Sequence, residues 1–286
     1  MKWINYHNVL VVGLGLIGGS YAKSLKRLGY HIMAVDSNPE SIQFALENKI
    51  IDEGAAENIE EIVSKADCVI LALYPSIAKD WVEKYQQYFK PGLPMTDVTG
   101  VKSSVVYGIQ EILREDIEFI SAHPMAGREV SGVKNSDDRI FRNANYIVVP
   151  TDKNTDEGIS WCENLGRILG FDRISILTPE EHDNMIAYVS QLTHCIAVAL
   201  MTSNDNDHLA EYTGDSFRDL TRIANINENM WTELFFMNKE PLLENMDMFI
   251  NEFKRIRDMI EKEDSEGLKE KMRLSTKRRA KFDKNK

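Results

Sequence analysis

No run of about 18 uninterrupted apolar residues occurs in the chain, so it lacks the sequence signature of a transmembrane helix. Cysteine is scarce. Cys68, Cys162 and Cys195 are three in 286 residues, far apart and each in an apolar setting. That pattern argues against a disulfide framework or a cysteine-built zinc site, and reads as buried thiols of a reducing compartment. Positive charge is in deficit, with 34 Lys and Arg against 45 Asp and Glu and a net charge of −11. This balance argues against a nucleic-acid surface, while a locally basic pocket for an anionic substrate stays open. Residues 1–8 lack the apolar segment of a secretory signal and run straight into the first strand-like run. The expected location is the cytoplasm, with neither membrane nor nucleic acid as partner. The histidines lack i, i+4 spacing and no cysteine pair supports them, so no metal site is expected.

What the chain does have is a glycine fingerprint in its proper setting. An apolar run at residues 9–12 leads into Gly13, Gly15 and Gly18, then into a helical pattern at 20–28. A second apolar run, 32–35, ends at the acid Asp36, 18 residues past the last glycine. Strand, tight turn, helix, strand and acid together form the dinucleotide-binding pattern. Gly13 permits the turn, Gly15 lets a pyrophosphate approach the backbone, and Gly18 lets helix and strand pack closely. Leu16 and Ile17 open the helix whose N–H groups face the phosphates. Asp36 suits a free ribose 2′-hydroxyl and repels a 2′-phosphate, and Ser37, Asn38 and Pro39 supply no cation for one. NAD is therefore expected over NADP.

Further strand-length runs follow at 69–73, 95–98, 119–122 and 146–150, with helical patterns between most of them. That alternation predicts an α/β Rossmann N-terminal domain with a mostly parallel sheet, over residues 1–151. Residues 131–143 read as a loop or short helix over a sheet edge. Beyond them, 152–286 is expected to be an all-helical C-terminal domain, with a short strand at 173–177 and a strong helix start at Thr178-Pro179-Glu180-Glu181. The Lys- and Arg-rich end at 277–281 reads as a solvated helix terminus.

Ligands of open α/β sheets bind beyond the carboxyl ends of the strands. Three loops at such ends carry polar groups. Tyr74-Pro75-Ser76 can lie against the nucleotide, Thr99 to Ser104 form a small-residue turn, and His123 follows the strand at 119–122. An imidazole there can accept a proton from an alcohol near neutral pH. In the helical half, His182-Asp183 and His194 fall close to one helix face. Arg222 can clamp a carboxylate or, at i, i+3 spacing, form an internal ion pair with Asp219. Trp231 reads as core.

Taken together, these motifs resemble the prephenate dehydrogenase family. The likeness rests on residues 13–20, on Asp97 with Val101-Lys102, on His123-Pro124-Met125-Ala126-Gly127-Arg128-Glu129, on 190–194, and on 217–224 followed by Met230-Trp231. It implies NAD-dependent oxidative decarboxylation of prephenate in tyrosine biosynthesis, and a homodimer formed through the helical domain. It further implies that His123 is the catalytic base and that Arg222 binds a substrate carboxylate. By the same likeness His194 and His182 line the pocket, and Glu129, Asp219 and Trp231 are its polar and packing partners. The expected cofactor-binding set is Gly13, Gly15, Leu16, Ile17, Gly18, Asp36, Tyr74 and Thr99. Where the family often has serine before the Val-Lys pair this chain has Gly100, so Thr99, Ser103 or a water molecule is expected to take the place of the missing hydroxyl. After the helical domain about forty residues remain, too few for a regulatory domain of the ACT type.

Three rivals remain at this point. Arogenate dehydrogenase keeps the chemistry and adds a substrate ammonium, for which Glu129 is the candidate partner. A β-hydroxyacid dehydrogenase predicts a lysine on the long helix, yet residues 180–204 contain none. A silent NAD-binding module predicts loss of the base or the clamp, and both are present.

Overall fold

Two apolar clusters, one on each face of a parallel sheet, organise the first part of the molecule in a computed structural model that describes residues 7–282. Residues 1–6, part of the N-terminal stretch read above, lie outside that range. The sheet contains β1 (Asn8–Val12), β2 (His31–Val35), β3 (Glu53–Ala55), β4 (Cys68–Leu71), β5 (Pro94–Asp97) and β6 (Glu118–Phe119). Their spatial order is β3-β2-β1-β4-β5-β6, all parallel. Successive residues point to opposite faces. Val9 and Val11 therefore join one cluster with Tyr21, Leu25 and Trp161, while Leu10 and Val12 join the other with Val82, Val106 and Ile109. A strand buried on both faces must be apolar throughout, which is why these runs are continuous rather than alternating.

The crossovers are α1 (Leu16–Arg27), α2 (Pro39–Glu47), α3 (Glu60–Lys65), α4 (Pro75–Tyr85) and α5 (Ser103–Ile112). Chain order reverses between β1 and β4, which makes that point the crevice of a doubly wound sheet. β3 escapes the sequence pattern because it is three residues long with a central glycine.

The run at 119–122 is split. β6 closes the large sheet, and β7 (Ser121–Met125) opens a second one with β8 (Asn145–Val149) and β9 (Arg173–Ile176). β7 and β8 are antiparallel, β8 and β9 parallel. The segment between β7 and β8 forms two short 3-10 turns, and Ser136 of this segment packs on Gly19 of α1. Between β8 and β9 lies α6 (Asp156–Leu169), ended by Gly170 in the left-handed region at φ +89°. The uninterrupted helical run thus starts at Pro179 rather than near residue 152.

From there α7 (Pro179–Ile186), a π-helical turn at Ala187–Gln191 and α8 (Leu192–Thr202) form one continuous rod. Thr178 and Glu181 close the capping box that the sequence predicts. This helix is long and apolar enough, by length and composition, to cross a membrane. It also carries His182, Asp183 and Gln191, which are buried in specific polar contacts of the folded chain. α9 (Leu209–Tyr212), α10 (Asp215–Thr221) and α11 (Glu228–Met237) follow. A compact unit ends at Asn238 and a second begins at Lys239. The second unit is a pair of helices, α12 (Lys239–Glu261) and α13 (Ser265–Arg279), turned by Glu263 at φ +53° and capped by Asp264.

Candidate active site

The turn after β1 is shaped as its glycines require. Gly13 sits at φ +95°, and a Cβ there would lie 2.4 Å from the Ala72 carbonyl oxygen. A Cβ on Gly18 would lie 2.0 Å from the Gly13 carbonyl oxygen. Neither position can carry a side chain without moving backbone. At Gly15, by contrast, a Cβ would meet nothing within 4 Å. That open space lies at the start of α1, where no side chain caps the helix and no acid occupies the first turn. Leu16 and Ile17 stand in this uncapped first turn. Unpaired N–H groups and the positive dipole end are left for an anion. Asp36 accepts from Leu14 N at 2.6 Å and Asn38 N at 2.8 Å, which fixes its carboxylate beside the turn. These residues fit a dinucleotide, and would hold its pyrophosphate and adenosine ribose.

Two other helix starts at this edge are filled by carboxylates of the chain itself. Glu233 of α11 accepts from Ser76 N at the start of α4, beside the half-exposed ring of Tyr74. Asp183 of α7 accepts from Lys102 N and Ser103 N, both at 2.8 Å, at the start of α5.

Beneath the α5 turn lies a fully buried ion pair. Lys102 Nζ donates to Asp97 at 2.9 Å, to Thr99 Oγ1 at 3.2 Å and to the Ala122 carbonyl at 2.6 Å. Asp97 also accepts from Thr99 N at 3.0 Å and Ala122 N at 3.1 Å, and from the hydroxyls of Thr99 and Ser121. Every donor of the ammonium is used, as a buried charge requires. Burial pulls Lys102 down and the Asp97 carboxylate opposes it, with a net lowering. Thr99, expected at the ligand, has its hydroxyl committed to this network. Ser103 is likewise bonded to Asp183. Both hydroxyls proposed to replace the one missing at Gly100 are thus engaged in the framework.

His123 lies in β7, opposite Ile147 of β8. Its Nδ1 is 2.9 Å from His182 Nε2, and His182 Nδ1 is 2.9 Å from Asp183 Oδ1. Nε2 of His123 has no hydrogen-bond partner among the described residues. A Cβ on Gly100 would come to 3.9 Å from it, and to 3.5 Å from Leu234. Burial holds the His123 imidazole well below its usual range, with His182 and then the Lys102 cation adding to the effect. The ring is neutral near pH 7, with one nitrogen left without a hydrogen-bond partner among the described residues: the state of a proton acceptor.

A second group surrounds His194. Its ring stacks on Trp231 at 3.7 Å between centroids, and Nδ1 lies 2.9 Å from the Ser190 carbonyl in the π-helical turn. Burial lowers its pKa, against the Ser190 carbonyl and Glu129, while Arg222 adds to the lowering. Arg222 pairs with Glu129, not with Asp219 as the helical spacing allowed. Arg218 takes Asp215 at 3.3 Å, and Asp219 is exposed with no ion pair among the described residues. Trp231 packs on the second core cluster as well as on His194, so the core reading covers only half of its role. Sequence reasoning assigned no role to Asp183 or Glu233, which reach these helix starts from 80 and 157 positions away. Among the described residues no cluster of His, Cys, Asp and Glu could hold a metal ion.

Comparison with known proteins agrees with this layout. A family model described as prephenate dehydrogenase, nucleotide-binding domain, matches residues 21–171. A second, prephenate dehydrogenase, dimerization domain, matches 178–274. The prephenate dehydrogenase of Bacillus subtilis is 30% identical over 267 residues, covering 91% of this chain and 72% of that protein. A cyclohexadienyl dehydrogenase of Zymomonas mobilis is 26% identical over 281 residues, 96% of this chain and 95% of its own length. Among solved structures, prephenate dehydrogenase from A. aeolicus, in complex with hydroxyphenyl propionate and NAD+, superposes with a TM-score of 0.90 at 32% identity. It covers 99% of this chain and 100% of that one.

Proposed function

The chain belongs to the prephenate dehydrogenase family of NAD-dependent dehydrogenases, and from that premise we propose that it converts prephenate to 4-hydroxyphenylpyruvate. The observation that carries this reading is the neutral His123, whose Nε2 lies beside Gly100 with no hydrogen-bond partner among the described residues. When bound, the nicotinamide supplies a hydride acceptor. His123 accepts the proton of the ring 4-hydroxyl as the hydrogen on the same carbon leaves with its electron pair. The ring carboxylate departs as carbon dioxide, its bonding pair completing the aromatic ring, and the proton held by His123 returns to the phenolate oxygen of the product. Aromatisation drives the reaction, so the protein mainly supplies position and one base.

Arg222 is the proposed carboxylate clamp. Its pair with Glu129 is largely solvent-exposed, and such pairs contribute little, so a substrate carboxylate can replace the glutamate. We propose further that residues 152–286 supply substrate contacts and a homodimer interface in a cytoplasmic enzyme of tyrosine biosynthesis. The dimer is supported by Met185, Tyr188, Val189 and Met201 on the α7–α8 rod, and by Met248, Phe253 and Ile260 on α12, all large apolar side chains left in water.

The deciding assay follows reduced nicotinamide with prephenate and with arogenate, each against NAD and NADP. Turnover with prephenate and NAD is expected. Turnover with arogenate alone would overturn the substrate assignment, and none with either would leave a silent binding module.

A further inference from the structure

We propose that Asp183 is the positioning residue of this site: anchored on the start of α5, it dictates through His182 which nitrogen of His123 is left bare. The inference rests on reading His123 as the base.

Asp183 is 4% exposed and receives donors from three residues: the Lys102 amide, the amide and hydroxyl of Ser103, and the His182 ring. Burial pushes its carboxyl up, but the donors from His182 and Ser103 outweigh it and hold it below the usual range. An ionised carboxylate can only accept hydrogen bonds. His182 Nδ1 must therefore carry its proton toward Asp183. Burial keeps His182 neutral against the pull of Asp183, so its Nε2 is a bare acceptor. Facing that acceptor at 2.9 Å, His123 Nδ1 must donate. In a neutral ring the remaining nitrogen, Nε2, is then unprotonated, and it is the one beside Gly100. Each bond direction follows from the one before, and the chain of bonds begins at a helix start whose N–H groups would otherwise be orphaned. The charged groups around the two rings are Asp97 and Lys102 near the start of α5 and Asp183 on α7; no other lies in the relay.

The same geometry shows what releases the relay. Asp183 Oδ1 takes both His182 Nδ1 and Lys102 N, while Oδ2 takes Ser103 N, so one carboxylate oxygen ties the ring to the helix start. In Asp183→Leu that acceptor is gone, His182 can carry its proton on either nitrogen, and His123 Nε2 is no longer held bare.

The test is nitrogen NMR of the full chain with isotope-labelled histidine near neutral pH, without substrate. The wild-type His123 is expected to show a protonated Nδ1 and a bare Nε2, and D183L a mixture of both forms. D183L is also expected to lose about tenfold or more in kcat, with NAD affinity unchanged within about threefold. A wild-type His123 protonated on Nε2, or a D183L spectrum unchanged from wild type, overturns the proposal. If D183L does not fold, His182→Phe keeps Asp183 on α5 and removes only the relay; His123 should then populate both forms, and a single unchanged form would equally overturn it. Because the spectrum needs no turnover, its outcome is independent of whether prephenate is the substrate.

Discussion

At the start of α1 the backbone N–H groups open onto empty space over Gly15, whereas at the start of α5 the corresponding groups are closed by the carboxylate of Asp183. Both helices begin at the carboxyl edge of the same sheet and present the same positive dipole end. An anion is favourable at either. One start is kept bare for a ligand's phosphates, and the other is given an internal anion, which then becomes a fixed acceptor for the catalytic imidazole pair. The same backbone property thus serves cofactor binding at one end of the crevice and base orientation at the other.

The contrast can be broken at four points, taken from the largest expected effect to the smallest. Lys102→Met removes the cation under the α5 turn and leaves Asp97 buried without its partner. The expected loss of stability is about 3–5 kcal/mol, read from denaturant midpoints. His123→Asn leaves the α1 start intact, so NAD titration should be unchanged while kcat falls by about two orders of magnitude or more. Near-normal turnover would remove it as base.

Gly15→Asp gives α1 the kind of anion that α5 already has. The backbone at Gly15 has φ −75° and room for a side chain, so the helix should be capped and stabilised by about 1 kcal/mol. The cofactor's dissociation constant should nevertheless rise about tenfold or more, because the phosphates then meet a carboxylate. Opposite signs for melting temperature and NAD affinity are the signature; a parallel change would refute the reading of α1 as the phosphate site. Gly100→Ser is the mildest. Its Cβ would make ordinary contact with Leu234 and approach His123 Nε2, so stability should move by less than about 0.5 kcal/mol.

The pH profile sharpens the same comparison. Activity requires neutral His123, and burial with the nearby Lys102 cation lowers its pKa below 6.5. The neutral form therefore persists as pH falls past that value, and kcat/KM should decline only at lower pH. An acid limb at or above 6.5 would show that the ring is not enclosed as described.

How much of this was legible beforehand follows from sequence distance. The α1 start is written locally, within Gly13 to Gly18 and the acid that ends β2, and it reads directly. The Thr178–Glu181 cap is equally local. The α5 start is not, because its acceptor arrives from 80 positions downstream and no periodicity links a helix start to a carboxylate on another helix. For the same reason Arg222 looked as suited to Asp219, three residues away, as to anything distant, whereas the fold gives it Glu129. The missed strand β3 is too short to show a pattern. The second sheet was hidden because one apolar run, 119–122, supplies strands to both sheets.

The π-helical turn at Ala187–Gln191 divides the rod that carries both histidine groups. A π turn holds roughly one residue more than the α-helix would at the same length, and each α-helical residue advances the side chains by about 100°. The rod therefore has two phases. His182 is aimed by the first and His194 by the second, so winding 187–191 as plain α-helix with all its residues kept would leave the base and its relay in place while swinging His194 by about 100° off the face of Trp231. Deleting one residue there would instead keep both groups where they are. The two polar groups of the site are separately adjustable, and the turn between them acts as the vernier.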